Sequence, residues 1–360
     1  MNLRQLLLLV AFLPTLIFSM SLSEKYPSYA YVFSEFELDE TFIYDSDFEN
    51  FVHKNEKKIQ NFYERASQRG EVVIPLVKNH LVDNDLSDLF VYISMIESGF
   101  TADIVSPKKA VGLWQFMPAT AKHYKLEVCN GFDERCDPDS STKAAMDYLR
   151  KLHKQFGKWY LAVMAYNCGE GRLSKAIKKA GSKELHILIN PYNKYLPRET
   201  REYIQKILLV AMIGEGEVLD FQSRSANRVQ VEVQGGTKLS SIAKLLSMKT
   251  AALQKLNRQF KKGTVPRKKK VYKLVIPEEK MMIFYMKYEI QEEINEKILK
   301  PHFISHYVVL GDTLKNLAKE YNSTTEELMM ANKLKDDALT LDMFLLIPVT
   351  ESVFESYLDE

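Results

Sequence analysis

The chain has 360 residues, which points to two or more domains at roughly 100–200 residues each. Hydrophobic residues make up 46% and charged residues 27%, which excludes a collagen-like or wholly disordered chain and leaves material for real cores. A net charge of only +2 argues against a dedicated nucleic-acid binder, which carries a strongly basic face. At the N-terminus, Arg4 precedes the apolar run LLLLVAFLPTLIF (Leu6–Phe18), and Ser19-Met20-Ser21 forms a loose small-x-small site. Residues 1–21 are expected to be an export signal. The run is shorter than the roughly 20 apolar residues of a membrane span, so an uncleaved membrane anchor is the alternative. No Cys follows for lipid attachment. The rest of the chain is expected outside the cytoplasm, either free or membrane-associated through this N-terminus.

Residues 22–79 read as a polar, mixed helical and extended segment, with a helix near NFYERASQRG. From Leu86 to about Gly216 the pattern is helical, and residues 80–222 form one expected domain. DLSDLFVYISMIESG sets Leu86, Leu89, Ile93 and Ile96 at helical spacing, with Gly99 as the stop. DSSTKAAMDYLRKLHKQFG opens on capping residues, lines up Ala145, Leu149, Leu152 and Phe156, and ends at Gly157. KWYLAVMAYNCGEG is nearly all apolar, hence a central buried helix broken at Gly169 and Gly171. PRETREYIQKILLVAMIG starts with Pro197 in its first turn and runs long. Cys129 and Cys136 lie close together in a polar, Gly-containing loop and are the candidate pair for a local disulfide in an exported protein. Cys168 reads as a small buried hydrophobe. His80, His123, His153 and the other histidines form no ligand cluster, so neither metal nor cofactor is implied.

After about residue 225 the texture alternates like strands, in VQVEV and again in HYVVL. The two regions repeat at an offset of about 75 residues. Val231 and Val233 match His306 and Val308, Gly236 matches Gly311, Leu239 matches Leu314, and Asn257 matches Asn332. Each copy closes on a short apolar strand and Pro, LVIP at 274–277 and LLIP at 345–348. The expected unit is a small α+β module of the order βααβ, at 229–277 and 305–349. Residues 278–304 read as a charged linker or helix, and the basic run KKGTVPRKKK (Lys261–Lys270) as a solvated loop. The second copy resembles a lysin motif (LysM) in Val308, Gly311-Asp312-Thr313-Leu314, Leu317-Ala318, Leu328, Asn332 and Ile347-Pro348. That resemblance implies a shallow groove for N-acetylglucosamine-containing glycans, with Gly311, Asp312, Thr313, Leu314 and Asn332 at the binding end. The first copy is a degenerate version, with Thr237-Lys238 where the second has Asp312-Thr313. The plainer reading makes both copies spacers.

One feature of the helical domain asks for chemistry. Glu97 is a lone acid in the apolar stretch YISMIESGF. A free Glu titrates near about 4.3, and apolar surroundings raise that value toward working pH, which suits proton donation. An isolated Glu in such a place is ordinarily satisfied by a helix cap or a salt bridge. Here ESGF (97–100), SPKKAVGLWQFMP (106–118), AYNCGEG (165–171) and LPRETREYI (196–204) occur in order, and in that order they resemble lytic transglycosylases. Those enzymes have the fold of goose-type lysozyme, so a mainly α, lysozyme-like catalytic domain followed by LysM modules is implied. The implied activity is cleavage of the β-1,4 bond between N-acetylmuramic acid and N-acetylglucosamine, with a 1,6-anhydromuramic end. The implied partner is the peptidoglycan strand, with no nucleic acid and no obligate protein partner.

The resemblance also assigns roles. Glu97 would give its proton to the leaving oxygen and then take one from the sugar's own 6-hydroxyl, the internal nucleophile. Tyr203 would orient its carboxyl. Gln115 and the backbone at Met117 would meet sugar amide and hydroxyl groups, Ser106 the acetamido region, and Tyr166 and Asn167 the cleft floor. Tyr203 alone reads equally as a core Tyr, Ser98 as structural, and Trp114 as core or as a sugar-stacking face. Most glycosidases need a second carboxylate. Asp88 and Asp103 are nearest in sequence but lie outside the motifs, which favours a lone acid. The rival readings are a lysozyme-type muramidase and a non-catalytic wall-binding protein.

Overall fold

The structure, a computed structural model, describes residues 20–216, 228–288, 302–334 and 336–358. The expected export signal, apart from Met20 and Ser21, therefore lies outside the described residues, as does much of the expected linker. Among the described residues no helix is long and apolar enough to cross a membrane. They divide into two compact units: those up to 241 together with 249–278, and 242–248 together with those from 279 on.

The first unit opens with helices α1 (Leu22–Lys25), α2 (Tyr29–Glu35), α3 (Ser46–Gly70) and α4 (Val73–Val82). The expectation of a mixed helical and extended segment is corrected here: residues 22–79 are helices and turns, and they are core. Asp45 caps α3, which then places Phe48, Phe51, Val52, Ile59, Tyr63 and Ala66 on one buried stripe. Its many charged residues cover the outer face, so composition hid the stripe. Each fully buried apolar side chain contributes roughly 1.5–3 kcal/mol, so this segment is integral to the fold.

Next come α5 (Val91–Ser98), α6 (Pro118–His123), a hairpin of β1 (Val128–Cys129) and β2 (Phe132–Asp133), α7 (Pro138–Phe156), α8 (Trp159–Cys168), α9 (Glu170–Ala180), α10 (Leu185–Ile189) and α11 (Arg198–Gly216). Tyr160 through Ala165 of α8 are all buried, and α8 packs against α7, α9 and α11. Helix α11 packs against α3, α5 and α8. Two details differ from the sequence reading. Only Gly169 breaks α8, because Gly171 continues in α9, and α11 begins at Arg198, one residue after Pro197.

The chain continues through β3 (Arg228–Gln234), α12 (Leu239–Leu245), α13 (Thr250–Leu256) and β4 (Val271–Pro277). Strands β3 and β4 pair antiparallel from Arg228↔Pro277 to Gln234↔Val271. Asn257 ties this module shut, donating to the carbonyls of Leu253 (3.0 Å) and Val275 (2.7 Å) and accepting from the Val275 N–H (2.8 Å). Within the first unit, the module rests on the β1–β2 hairpin. Phe132 packs on Phe260 and Tyr272, each at 5.3 Å between ring centroids. The Asp133 N–H donates to Gln259 C=O (3.0 Å) and the Lys261 N–H to Gly131 C=O (2.8 Å).

The second unit holds α14 (281–288), β5 (His302–Tyr307), α15 (Leu314–Glu320), α16 (Thr325–Asn332), β6 (Phe344–Val349) and α17 (Glu351–Leu358). Its core is Ile304, Val308, Leu314, Leu317, Leu328, Leu345 and Ile347. The expected strand HYVVL is corrected: β5 spans His302–Tyr307, and Val308 has already left the ladder, its N–H bonding Met343 C=O (2.9 Å). Within the stretch 278–304, read as a charged linker or helix, Glu278–Lys280 is a 3-10 turn, 281–288 is helix and β5 starts at His302. Asn332 repeats the lock of Asn257, donating to Leu328 C=O and Leu346 C=O, each at 2.8 Å, and accepting from the Leu346 N–H at 2.7 Å.

Candidate active site

Glu97 lies in the last turn of α5. The helix stops because Gly99 and Phe100 both turn left-handed, with φ of 55° and 59°. A left-handed aromatic residue costs on the order of 1–3 kcal/mol, so neighbours must hold it. Ser98 Oγ accepts the Phe100 N–H (3.1 Å) and donates to Ser94 C=O (3.1 Å), the structural role read for it. From α3, Arg69 Nε–H donates to Gly99 C=O (3.0 Å). Its guanidinium leaves no room for a side chain at 99, where a Cβ would sit 2.5 Å from a terminal nitrogen. The next residue, Gly70, is bare where the Phe100 ring lies: a Cβ there would be 2.4 Å from Cδ2.

Glu97 itself is half-buried, and Tyr203 of α11 donates its O–H to Glu97 Oε1 at 2.5 Å. Among the described residues no base stands within ion-pair distance of this carboxyl. Burial pushes its pKa up, the Tyr203 hydrogen bond pulls it down, and Glu199 pushes it up again, leaving it raised to about 7. Burial and the neighbouring Glu97 hold the Tyr203 hydroxyl well above its ordinary range, so it stays a donor. Glu199 is exposed on α11, one turn before Tyr203, and pairs with Lys108 at 3.8 Å. Asp88 is engaged by Lys78 (2.7 Å) and Asp103 by Arg258 (3.2 Å).

The stretch 104–116 folds back on itself against α5. Gly112 N–H bonds Ile104 C=O (3.0 Å), and Val111 and Phe116 exchange backbone bonds at 3.1 Å. Gly112 has φ of 87° and packs so close that a Cβ would lie 1.7 Å from Arg135 O, so only glycine fits. Ser94 Oγ donates to Leu113 C=O (3.2 Å), fixing the loop one turn from Glu97. Trp114 is fully buried, donating Nε1–H to Thr142 Oγ1 (2.9 Å), which decides for core against sugar stacking. Arg135, paired in bidentate fashion with Asp133 (2.9 and 2.8 Å), reaches Phe116 C=O (3.2 Å) from below.

The remaining candidate residues divide. Ser106 Oγ accepts the Ala110 N–H (3.0 Å), Gln115 Nε2 donates to Gly112 C=O (2.9 Å), and Met117 is 43% exposed at the loop's exit. Tyr166 is a pillar: its O–H donates to Trp114 C=O (2.6 Å) and its ring leans on Tyr148. Asn167 is half-buried and accepts the Thr200 hydroxyl (2.9 Å). Arg69, Thr142, Arg135 and Thr200 are the supports that sequence reading missed; Thr200 alone had a signal, inside ETREYI. The expected disulfide is not formed, and Cys129 and Cys136 are free thiols. Cys129 stays on the partly open strand β1, while Cys136 is buried, its thiol pushed up by burial and lying beside Lys261.

In the second unit, Gly311 turns with φ of 102°, Asp312 accepts the Val309 N–H (2.8 Å) and meets His306 (2.8 Å), and Thr313 caps α15 through the Asn316 N–H (3.1 Å). Leu314, expected at the glycan face, is core at 2% exposure, because capping by Thr313 turns it inward. A separate cavity of about 870 Å³, lined by Glu37, Asp39, Lys158 and Glu184 among others, contains none of the motif residues. Its Glu37 already takes the Trp159 N–H (2.7 Å) and His153 (2.8 Å).

Residues 77–189 match the Transglycosylase SLT domain, 228–292 the LysM-like domain of lytic transglycosylase MltD, and 306–348 the LysM domain. The chain is 29% identical over 304 residues to membrane-bound lytic murein transglycosylase D of Escherichia coli K12, covering 78% of this chain. It spans 64% of that relative's length. It is 35% identical over 151 residues to peptidoglycan transglycosylase gp16 of Escherichia phage T7, across 41% of this chain and 11% of the relative. A solved inactive mutant of lytic transglycosylase Slt from Pseudomonas aeruginosa aligns with 39% of this chain and 23% of its own, at 27% identity and a TM-score of 0.34.

Proposed function

We propose that this chain is an exported peptidoglycan lytic transglycosylase of the periplasm, cutting the N-acetylmuramic acid–N-acetylglucosamine bond and closing a 1,6-anhydro ring. The carrying observation is Glu97: a half-buried carboxyl raised to about 7, held by a single phenol and by no base among the described residues. At neutral pH a large fraction of it is protonated and able to donate. The proton goes to the glycosidic oxygen as that bond breaks. The emptied carboxylate then takes the proton of the 6-hydroxyl as this oxygen bonds to the anomeric carbon. The attacker is part of the substrate, so its entropy of approach is already spent. Tyr203 holds the carboxylate between the two steps, and the 104–116 loop offers Ser106 and Gln115 to the sugar's amide groups. Hydrolysis of the lysozyme type needs a second carboxylate free to activate water, whereas Asp88, Asp103 and Glu199 are each paired with a base. The test is the mass of the sugar ends released from purified sacculi: one water lighter than a hydrolytic end supports the reading, and the full hydrolytic mass refutes it.

Two results follow from the supports. Arg69→Ala is expected to lower kcat about tenfold with KM little changed, because Arg69 holds the Gly99 carbonyl rather than the sugar. Arg69→Lys is expected to recover part of the loss, and an equal loss in both variants with unchanged melting contradicts this. Deleting residues 225–360 is expected to weaken retention on sacculi more than cleavage of short soluble glycan, since a tethered glycan module raises local substrate concentration. Equal pull-down of both proteins contradicts it.

A further inference from the structure

The 45 residues between Glu232 and Glu278 carry ten lysines, two arginines and no acid, in a chain whose net charge is +2. Lys261–Lys270 alone reads as a solvated loop, but it is one edge of a module whose one acid is Glu232, opposite Lys273 on the paired strand. Lys255, Arg267, Lys270 and Lys273 are exposed and without an ion-pair partner among the described residues. The module is joined to the catalytic helices by more than its chain. Lys269 and Lys268 both reach Glu127, at 2.6 and 3.1 Å, and Arg258 reaches Asp103 at 3.2 Å. Asp103 lies three residues before Ser106, just ahead of the 104–116 loop. The module is therefore anchored beside that loop.

We propose that this module is an anion-binding extension of the cleft that takes the carboxylates of the stem peptides borne by the glycan being cut. This rests on the lytic transglycosylase reading. Two features favour peptide carboxylates over nucleic acids and other phosphate polymers. The module's rings Phe260 and Tyr272 are buried at 4% and 5% exposure, so they offer no stacking platform for bases. And the attachment through Arg258 leads directly to the loop that meets the sugar. The turn that carries Asp312-Thr313 in the second copy is Thr237-Lys238 here, so charge stands where the other copy keeps its capped turn.

The experiment measures binding of the full-length Glu97→Gln protein to purified sacculi across a salt series, with native sacculi and with sacculi whose carboxylates have been amidated. The same is done after adding Lys255→Gln, Arg267→Gln and Lys270→Gln, three exposed positions away from the hairpin contacts. Either change is expected to weaken binding about tenfold at low salt and to flatten its salt dependence, because exposed charges act over about a Debye length. Unchanged binding after amidation overturns the proposal, as does tighter binding to phosphatidylglycerol vesicles or to DNA than to native sacculi. The triple variant made on the wild-type background is expected to release anhydro ends from peptide-free glycan at the normal rate. Carboxylate-dependent binding by a wild-type protein that releases no anhydro ends would leave this surface standing and remove the catalytic reading.

Discussion

Glu97→Gln is expected to lower the rate of glycan cleavage about a thousandfold, the range that a positioned acid–base group supplies. Gln keeps the size of the side chain and can still accept from Tyr203, so the loss reports the proton and not the packing. The same substitution has an opposite effect on stability. The folded-state pKa of Glu97, about 7, lies above its unfolded value of about 4.3. The protonated group's contribution is thus complete below the unfolded value and is lost as pH rises through about 7. Above pH 7 the wild type keeps a charge in a half-buried site, which Gln does not carry. The variant is therefore expected to melt higher than the wild type at about pH 8, with the gap closing by about pH 4. Thermal melts at both values check this, and a variant that melts lower at both contradicts a strained carboxyl.

The second large effect belongs to Tyr203→Phe. The phenol donates to Glu97 Oε1 at 2.5 Å, which stabilises the ionised form. Its removal is expected to reduce kcat/KM by about one to two powers of ten, in line with the loss of one preorganised donor. It also moves the titration. For the wild type, kcat/KM is expected to fall above about pH 7, where Glu97 loses its proton. Without the phenol the carboxyl titrates higher, so the falling limb shifts to higher pH even as the rate drops. A limb that stays in place or moves down would show that Tyr203 is a packing residue only.

Much of the first unit was legible because its helices carry their own signals. In α5, α7 and α8 apolar residues recur at helical spacing and glycines stop the chain, at Gly99, Gly157 and Gly169. The LysM modules were legible from their repeat, since Asn257 and Asn332 make the same backbone lock. Helix α3 was not, because polar and charged residues together dominate its 25 positions and its buried stripe shows only when they are set aside. Nor was Arg69, which meets Gly99 from thirty residues away. Such a contact depends on how α3 crosses α5, and no local pattern encodes that. Thr142 and Arg135 escaped for the same reason. The charge of the first module was hidden differently: a total of +2 averages a strongly basic stretch against acidic neighbours. Cys129 and Cys136 were paired by proximity in sequence, whereas Cys129 stays partly open on β1 and Cys136 is buried in the turn after the hairpin.

In the proposed reaction one acid serves both halves while the sugar supplies the nucleophile. Digestion of sacculi in water enriched in heavy oxygen, followed by mass spectrometry of the released muropeptides, tests that most directly. Muramic ends that carry no label and lack one water are the predicted result; heavy oxygen built into reducing muramic ends would contradict it.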